Sequence, residues 1–425
     1  KWVIKMEILS TGEKIKRSRI YKGITLKELC GDKISISKMS CIENGKVKAD
    51  SEIIKYVADK IGVDYDYLIQ DVYEQILNNL NSIKKSTKKD LIFEDNIRHN
   101  LEYAIEYAYY DLAFELIHIV FSYYLEENKW EKIQLIISQY YDLYQRTNTE
   151  SNTVTYFRDM AQYLFQNREY TEAITYYGRL REIISENGIK EKNTYAFIAY
   201  NEGICYWKLN NYEKAYKFLC EAIKYIDSIK DDINKGKIYH AYALICIKLG
   251  HSEAEGYIEK AFQCQKDNPI LVATSKGDYG EAYFTAGNRK KAISEIEEGI
   301  KLFPKHSKEK YVEFLSECIN VFLSNKEYEK AYDLSDESLD LAIETDNIRL
   351  IEKAYSLKGK VLQKENRYRE SERYMNLALD SLFKFGTKKE RHDRYLEMAN
   401  MYYKLGEVRD AIKYFTLAMS KEKSI

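Results

Sequence analysis

Apolar side chains recur three and four positions apart along most of the chain, the spacing of one buried face of an α-helix. The first helix is read from Thr11 as N-cap through Gly12-Glu13-Lys14, with Ile15 and Ile20 inward and Gly23 as its stop. Thr25 caps a second helix with Glu28 three residues on, the spacing of a capping box, and Leu26 and Leu29 face inward. After a turn at Gly31–Ile34, Ser35 or Ser37 starts a third helix that runs to Asn44, buries Met39 and Ile42 and stops at Gly45. A fourth helix, Ser51–Ile61, buries Ile53, Ile54, Val57 and Ile61; Gly62 ends it, and Tyr65–Ile69 begins another.

From Asn96 onward the pattern repeats. Its clearest mark is an aromatic residue followed three positions later by Ala: Tyr170 to Ala173, Tyr212 to Ala215, and Tyr328 to Ala331. Weaker copies begin at Trp130, His251, Arg289, Tyr368 and Val408, and the eight starts step by 40, 42, 39, 38, 39, 40 and 40 residues. So regular a period predicts stacked pairs of helices. Small residues at Ala161, Gly203, Ala243, Gly280, Gly359 and Ala399 would let neighbouring helices approach closely; Ile319 breaks that rule.

Composition narrows the picture. Two prolines and 18 glycines in 425 residues leave few turn formers, so the fold is expected to be all-α, as a small domain followed by a long repeat array. An apolar share of 45% with 31% charged residues suits a globular chain, and no run of about 18 apolar residues predicts a membrane span. The first residues lack a signal-peptide core, and Met6 is expected to be the native start. The seven cysteines form no CxxC pair and the six histidines show no metal spacing, so no metal or cofactor is expected, and a reducing cytoplasm fits. Residues 1–48 hold 12 basic against 5 acidic residues, a net +7, while the remainder nets −8; the basic end suggests a polyanion partner. With no P-loop, nucleophile motif or HExxH, an enzyme is not expected.

Residues Gly12 to Arg19, Gly23 to Leu29, Ser37 to Lys46 and Ala58 to Val63 resemble the XRE-type helix-turn-helix family. Cys30-Gly31 departs from the family's usual small turn. The resemblance implies that the third helix enters the major groove of DNA. Ile36, Ser37, Ser40 and Cys41 would then reach base edges, Ile36 and Cys41 as thymine-methyl contacts, with Lys38 near base or phosphate. Lys27, Asn44 and Lys46 would hold phosphates, and Arg17 and Arg19 would add long-range attraction.

The repeats resemble tetratricopeptide repeats stretched beyond their usual length, as in Asn201 to Tyr206 with Asn211 to Ala215 and Ala222. That implies a right-handed superhelix whose concave wall is lined by the first helix of each pair. Helical spacing places on the wall Arg158, Asp159 and Gln162; Phe197, Tyr200, Asn201 and Ile204; Lys237, His240 and Leu244; Asp278 and Glu281; Glu317 and Asn320; Lys353 and Lys360; and Asn400. A side-chain amide can bond both the N–H and the C=O of an extended peptide, which gives Asn201, Asn320 and Asn400 special weight. The forty tyrosines read mainly as packing residues.

The order of parts resembles the peptide-pheromone receptors of Gram-positive bacteria, the Rap/Rgg/NprR/PlcR/PrgX group, nearest NprR and PlcR in layout. It implies a DNA-binding domain over 6–71, a linker helix over 72–90 and a peptide-binding repeat domain over 91–425. It also implies a cytoplasmic quorum-sensing transcription regulator, a homodimer or tetramer, that binds operator DNA and a short signalling peptide. The alternative is a repeat scaffold that binds and inhibits a protein partner, such as the response regulator of a phosphorelay, through a surface near residues 72–125.

Overall fold

The computed structural model describes residues 8–86, 91–147, 149–186 and 191–420, and every regular element among them is a helix. Met6, residues 87–90 of the expected linker and residues 421–425 lie outside the described residues. The chain divides into two compact units, Lys1–Gly188 and Ile189–Ile425. No helix among the described residues is long and apolar enough to cross a membrane.

The first unit begins with five short helices, α1 (Thr11–Tyr21), α2 (Leu26–Cys30), α3 (Ile36–Glu43), α4 (Ser51–Ile61) and α5 (Tyr65–Ile69). Ile15, Leu29, Met39, Ile42, Val57 and Leu68 form their common core. The caps decide where each helix starts. Ser10, not Thr11, caps α1: its Oγ accepts from the Glu13 N–H at 3.3 Å, and Glu13 Oε2 accepts from the Ser10 N–H at 2.9 Å. Three residues after Thr11 stands Lys14, which has no oxygen to return the bond, so the box closes one residue earlier. Thr25 and Glu28 form the expected box on α2, and Ser35 caps α3. Ile20 is 59% exposed instead of inward. It lies five residues beyond Ile15, about 140° around the helix from that buried side chain. Gly12 is the close approach on the buried face: a Cβ there would meet the Ile42 carbonyl oxygen at 2.1 Å.

Longer helices complete this unit: α6 (Val72–Lys85), α7 (Leu91–Glu106), α8 (Tyr110–Glu126), α9 (Trp130–Thr147), α10 (Glu150–Gln166) and α11 (Tyr170–Glu186). The second unit is a run of helical pairs. The first three are α12 (Lys192–Lys208) with α13 (Tyr212–Lys224), α14 (Asp232–Leu249) with α15 (Ala254–Gln265), and α16 (Pro269–Thr285) with α17 (Arg289–Leu302). Then come α18 (Lys308–Ser324) with α19 (Tyr328–Glu344), α20 (Ile348–Lys364) with α21 (Tyr368–Phe383), and α22 (Lys388–Leu405) with α23 (Val408–Met419).

Seven of the eight repeat marks are the first residue of the second helix of a pair: Trp130, Tyr170, Tyr212, Arg289, Tyr328, Tyr368 and Val408. His251 is the exception. Its helix starts at Ala254, after a turn in which the Glu253 carboxylate is held by the Tyr242 and Tyr216 hydroxyls. The alanines of the mark are buried, and Ala173, Ala215, Ala292 and Ala331 fully so. Polar bonds also join some successive pairs. His240–Asp278, Asn347–Glu309 and Arg394–Ser356 all join residues 38 positions apart, one repeat.

The small residues expected between helices are buried where expected, and Gly280 shows why. A Cβ there would meet Ile296 Cγ1 at 2.4 Å and the Ala292 carbonyl oxygen at 2.9 Å. Gly280→Ala is therefore expected to destabilise the second unit by about 1–3 kcal/mol, despite alanine's better helix propensity. Chemical denaturation checks this; an unchanged midpoint would show that α16 and α17 can separate without loss.

Candidate functional site

Two surfaces carry the residues that the sequence singles out. The first is the N-terminal end of α3. Ile36 is 49% exposed, Ser37 and Lys38 stand beside it in solvent, and Lys27, Asn44 and Lys46 are also exposed. Ser40 and Cys41 are half-buried. Lys38 Nζ lies 3.8 Å from Asp50 Oδ2, an exposed and weak pairing. Asn44 closes the end of α3, donating Nδ2 to the Ser40 carbonyl at 2.8 Å and accepting from Lys16 Nζ at 3.2 Å.

Two of the basic residues counted in the N-terminal charge are spent within the fold, Lys14 buried and Arg19 half-buried. Arg19, expected to act as a distant attractant, grips the buried Glu43 carboxylate with both ends of its guanidinium, at 2.7 and 2.9 Å, and donates to the Ile24 carbonyl. Glu43 lies 24 residues further on and shares the interior behind α1, so the charge is neutralised inside the fold. Lys14 is 1% exposed and donates to the carbonyls of Tyr67 and Gln70 at the end of α5. Burial pulls its pKa down to about 8.

The second surface lies in the second unit, along the first helices of successive pairs. A cavity of about 490 Å3 is lined by Tyr200, Ile204, Trp207 and Lys208 of α12, Tyr212 of α13, His240, Ala241, Leu244 and Lys248 of α14, and Asp278, Glu281, Ala282 and Thr285 of α16. A second cavity of about 270 Å3 shares Asp278 and Glu281 and adds Thr274, Gly277, Ile296, Phe314, Glu317, Cys318, Asn320, Val321 and Ser324. The two adjoin along α16 as one groove. One end is basic and aromatic, with Lys248 Nζ 4.9 Å from the Tyr212 ring centre. The other is acidic: burial, then the charges of Asp278, Glu313 and Glu281, raise the Glu317 pKa against the opposing pull of Lys353. Between them, His240 Nε2 faces Asp278 Oδ2 at 3.2 Å, and its Nδ1 is buried without a hydrogen-bond partner.

Residues 152–226, from α10 into the segment after α13, match the tetratricopeptide-repeat family. RapI superposes with a TM-score of 0.51 at 15% identity, over 81% of this chain and 96% of RapI. The chain shares the fold of RapI. An apo form of the quorum sensor NprR from B. thuringiensis gives a TM-score of 0.48 at 16% identity, over 82% of this chain and 99% of NprR. A tetratricopeptide-repeat-containing protein of Methanocaldococcus jannaschii is 23% identical over 311 residues, 70% of this chain. The chain spans about half, 48%, of the length of that curated relative.

Within this repeat fold, the groove gathers Tyr200, Ile204, His240, Leu244, Asp278, Glu281, Glu317 and Asn320 of the wall residues named from sequence. Asn201 is half-buried beside it, and Lys237 and Asn400 are exposed outside the lining. Lys360 is engaged by Glu397 at 2.8 Å. In the first unit, Arg158 and Gln162 are exposed on α10, but Asp159 is not available to a ligand. It is 4% exposed, accepts from the Tyr140 hydroxyl at 2.8 Å and meets His118 Nδ1 at 2.5 Å. Sequence reading also missed Trp207, Lys208, Lys248, Thr285 and Ser324. Each continues the stripe of a named residue by one more helical turn, so the 3.6-residue period already held the signal.

Proposed function

We propose that this chain is a peptide-responsive, DNA-binding regulator. In this reading α1–α5 form an XRE-type helix-turn-helix domain that docks α3 in the major groove, and a homodimer reads two half-sites. The groove along α12, α14, α16 and α18 takes a short linear peptide in extended form. The observation that carries the reading is the pair of adjoining cavities that share Asp278 and Glu281. Their lining combines aromatic anchors, charges of both signs and an imidazole nitrogen without a partner, which suits a peptide's mixture of side chains and backbone groups. Exposure of Ile36, Ser37, Lys38, Lys27 and Lys46 around the start of α3 supports the DNA half, and the fold shared with RapI supports a repeat-built receptor. Peptide binding would act on DNA through different affinity for two arrangements of the repeats; a hundredfold difference supplies roughly 2.7 kcal/mol.

The test is calorimetric titration of the full chain with short synthetic peptides from the C-terminus of a small secreted reading frame beside its gene. Binding at micromolar Kd or tighter is expected, weakened about tenfold or more in the exposed-site variants Glu281→Lys and Asn320→Ala. Absence of binding to every such peptide would remove the receptor reading and leave a scaffold for a protein partner.

A further inference from the structure

At the junction of α14 and α15, outside the groove, Cys246, His251 and Glu253 bring a sulfur, an imidazole nitrogen and a carboxylate oxygen within 4.8 Å of one another. Cys246 is buried in the last turn of α14, while His251 and Glu253 sit in the turn after Gly250. We propose that these three side chains form a site for a borderline-soft divalent metal, with Zn2+ as the best fit.

The donor set and the geometry both favour this. A tetrahedral zinc with Zn–S near 2.3 Å and Zn–O near 2.1 Å places its sulfur and oxygen ligands about 3.6 Å apart. Cys246 Sγ and Glu253 Oε1 already stand 3.5 Å apart. The imidazole has only to close on that edge, from a turn whose backbone is not locked into a helix. Thiolate and carboxylate together neutralise a divalent charge, and the neutral imidazole completes a set that magnesium or calcium, which prefer oxygen, would not select.

The surroundings support the ligands. Glu253 Oε1 accepts from the Tyr242 hydroxyl at 2.5 Å and from the Tyr216 hydroxyl at 3.1 Å, which aims the carboxylate. The Tyr216 ring stands edge-on to the His251 ring at 4.6 Å. Cys246 donates its thiol proton to Glu253 in the metal-free arrangement. On binding, that proton leaves to solvent and the metal takes its place between the two groups. The fourth position is left to water. Taking the six histidines singly hides this set, because it mixes three residue types within residues 246–253.

The test uses the full chain stripped with a chelator. Zn2+ is titrated by calorimetry, and Co2+ by absorption, where a cysteine ligand yields a sulfur-to-cobalt charge-transfer band. The expected result is saturable Zn2+ binding together with that band. Cys246→Ser should abolish the band. His251→Ala, at a half-buried turn position, should weaken Zn2+ at least about tenfold. The proposal is overturned if the wild-type chain binds no Zn2+, or if His251→Ala binds it as tightly as wild type with far-UV helicity unchanged.

Discussion

Arg19→Ala is expected to destabilise the N-terminal helices by about 3–5 kcal/mol, a large share of what a domain of this size holds. The reason is the state of its partner. Glu43 is 4% exposed, and both of its oxygens are bonded to the Arg19 guanidinium. Removing the arginine leaves a carboxylate in the interior with neither water nor a counter-charge, and the desolvation penalty is no longer offset. Hydrogen exchange of the α1–α5 amides in the full chain reads the effect locally. Replacing both partners, Arg19→Met with Glu43→Leu, should recover most of the loss, since no buried charge is then stranded. A cost below about 1 kcal/mol for the single variant would instead class the pair with exposed surface bridges.

Lys27→Ala with Lys38→Ala should weaken DNA binding on the order of 10- to 100-fold while leaving the fold intact. Both side chains are exposed; Lys27 has no salt bridge among the described residues, and Lys38 has only the distant Asp50 carboxylate. Duplexes recovered by the wild-type chain from a random-sequence pool supply the probe. The slope of log affinity against log salt should fall by about 1 for each lysine, the mark of lost phosphate contacts. Unchanged affinity and slope would remove the assignment of this face to DNA.

These two variants mark where charge counting succeeds and fails. Lysines on the first turns of α2 and α3 are exposed because the apolar stripes of those helices point elsewhere, as their periodicity predicts. Arg19 and Lys14 carry the same formal charge and are spent inside the molecule, on Glu43 and on the end of α5. Likewise, helical spacing put Asp159 beside Arg158 on a wall, while Tyr140, 19 residues back, and His118, 41 residues back, turn it into a packed internal anion.

By itself the sequence determined the five N-terminal helices, the caps of α2 and α3, the period of about 40 residues and much of the stripe of residues facing the groove. Those features depend on neighbours within one or two helical turns: a serine bonding three residues on, or side chains recurring every 3.6 positions. Only the tertiary structure decided which charges are free, which wall residues border one cavity and which turn gathers sulfur, nitrogen and oxygen. The physical reason is reach. Burial and ion pairing are set by whatever side chain arrives across the interface, commonly one repeat away, and no local pattern encodes that arrival.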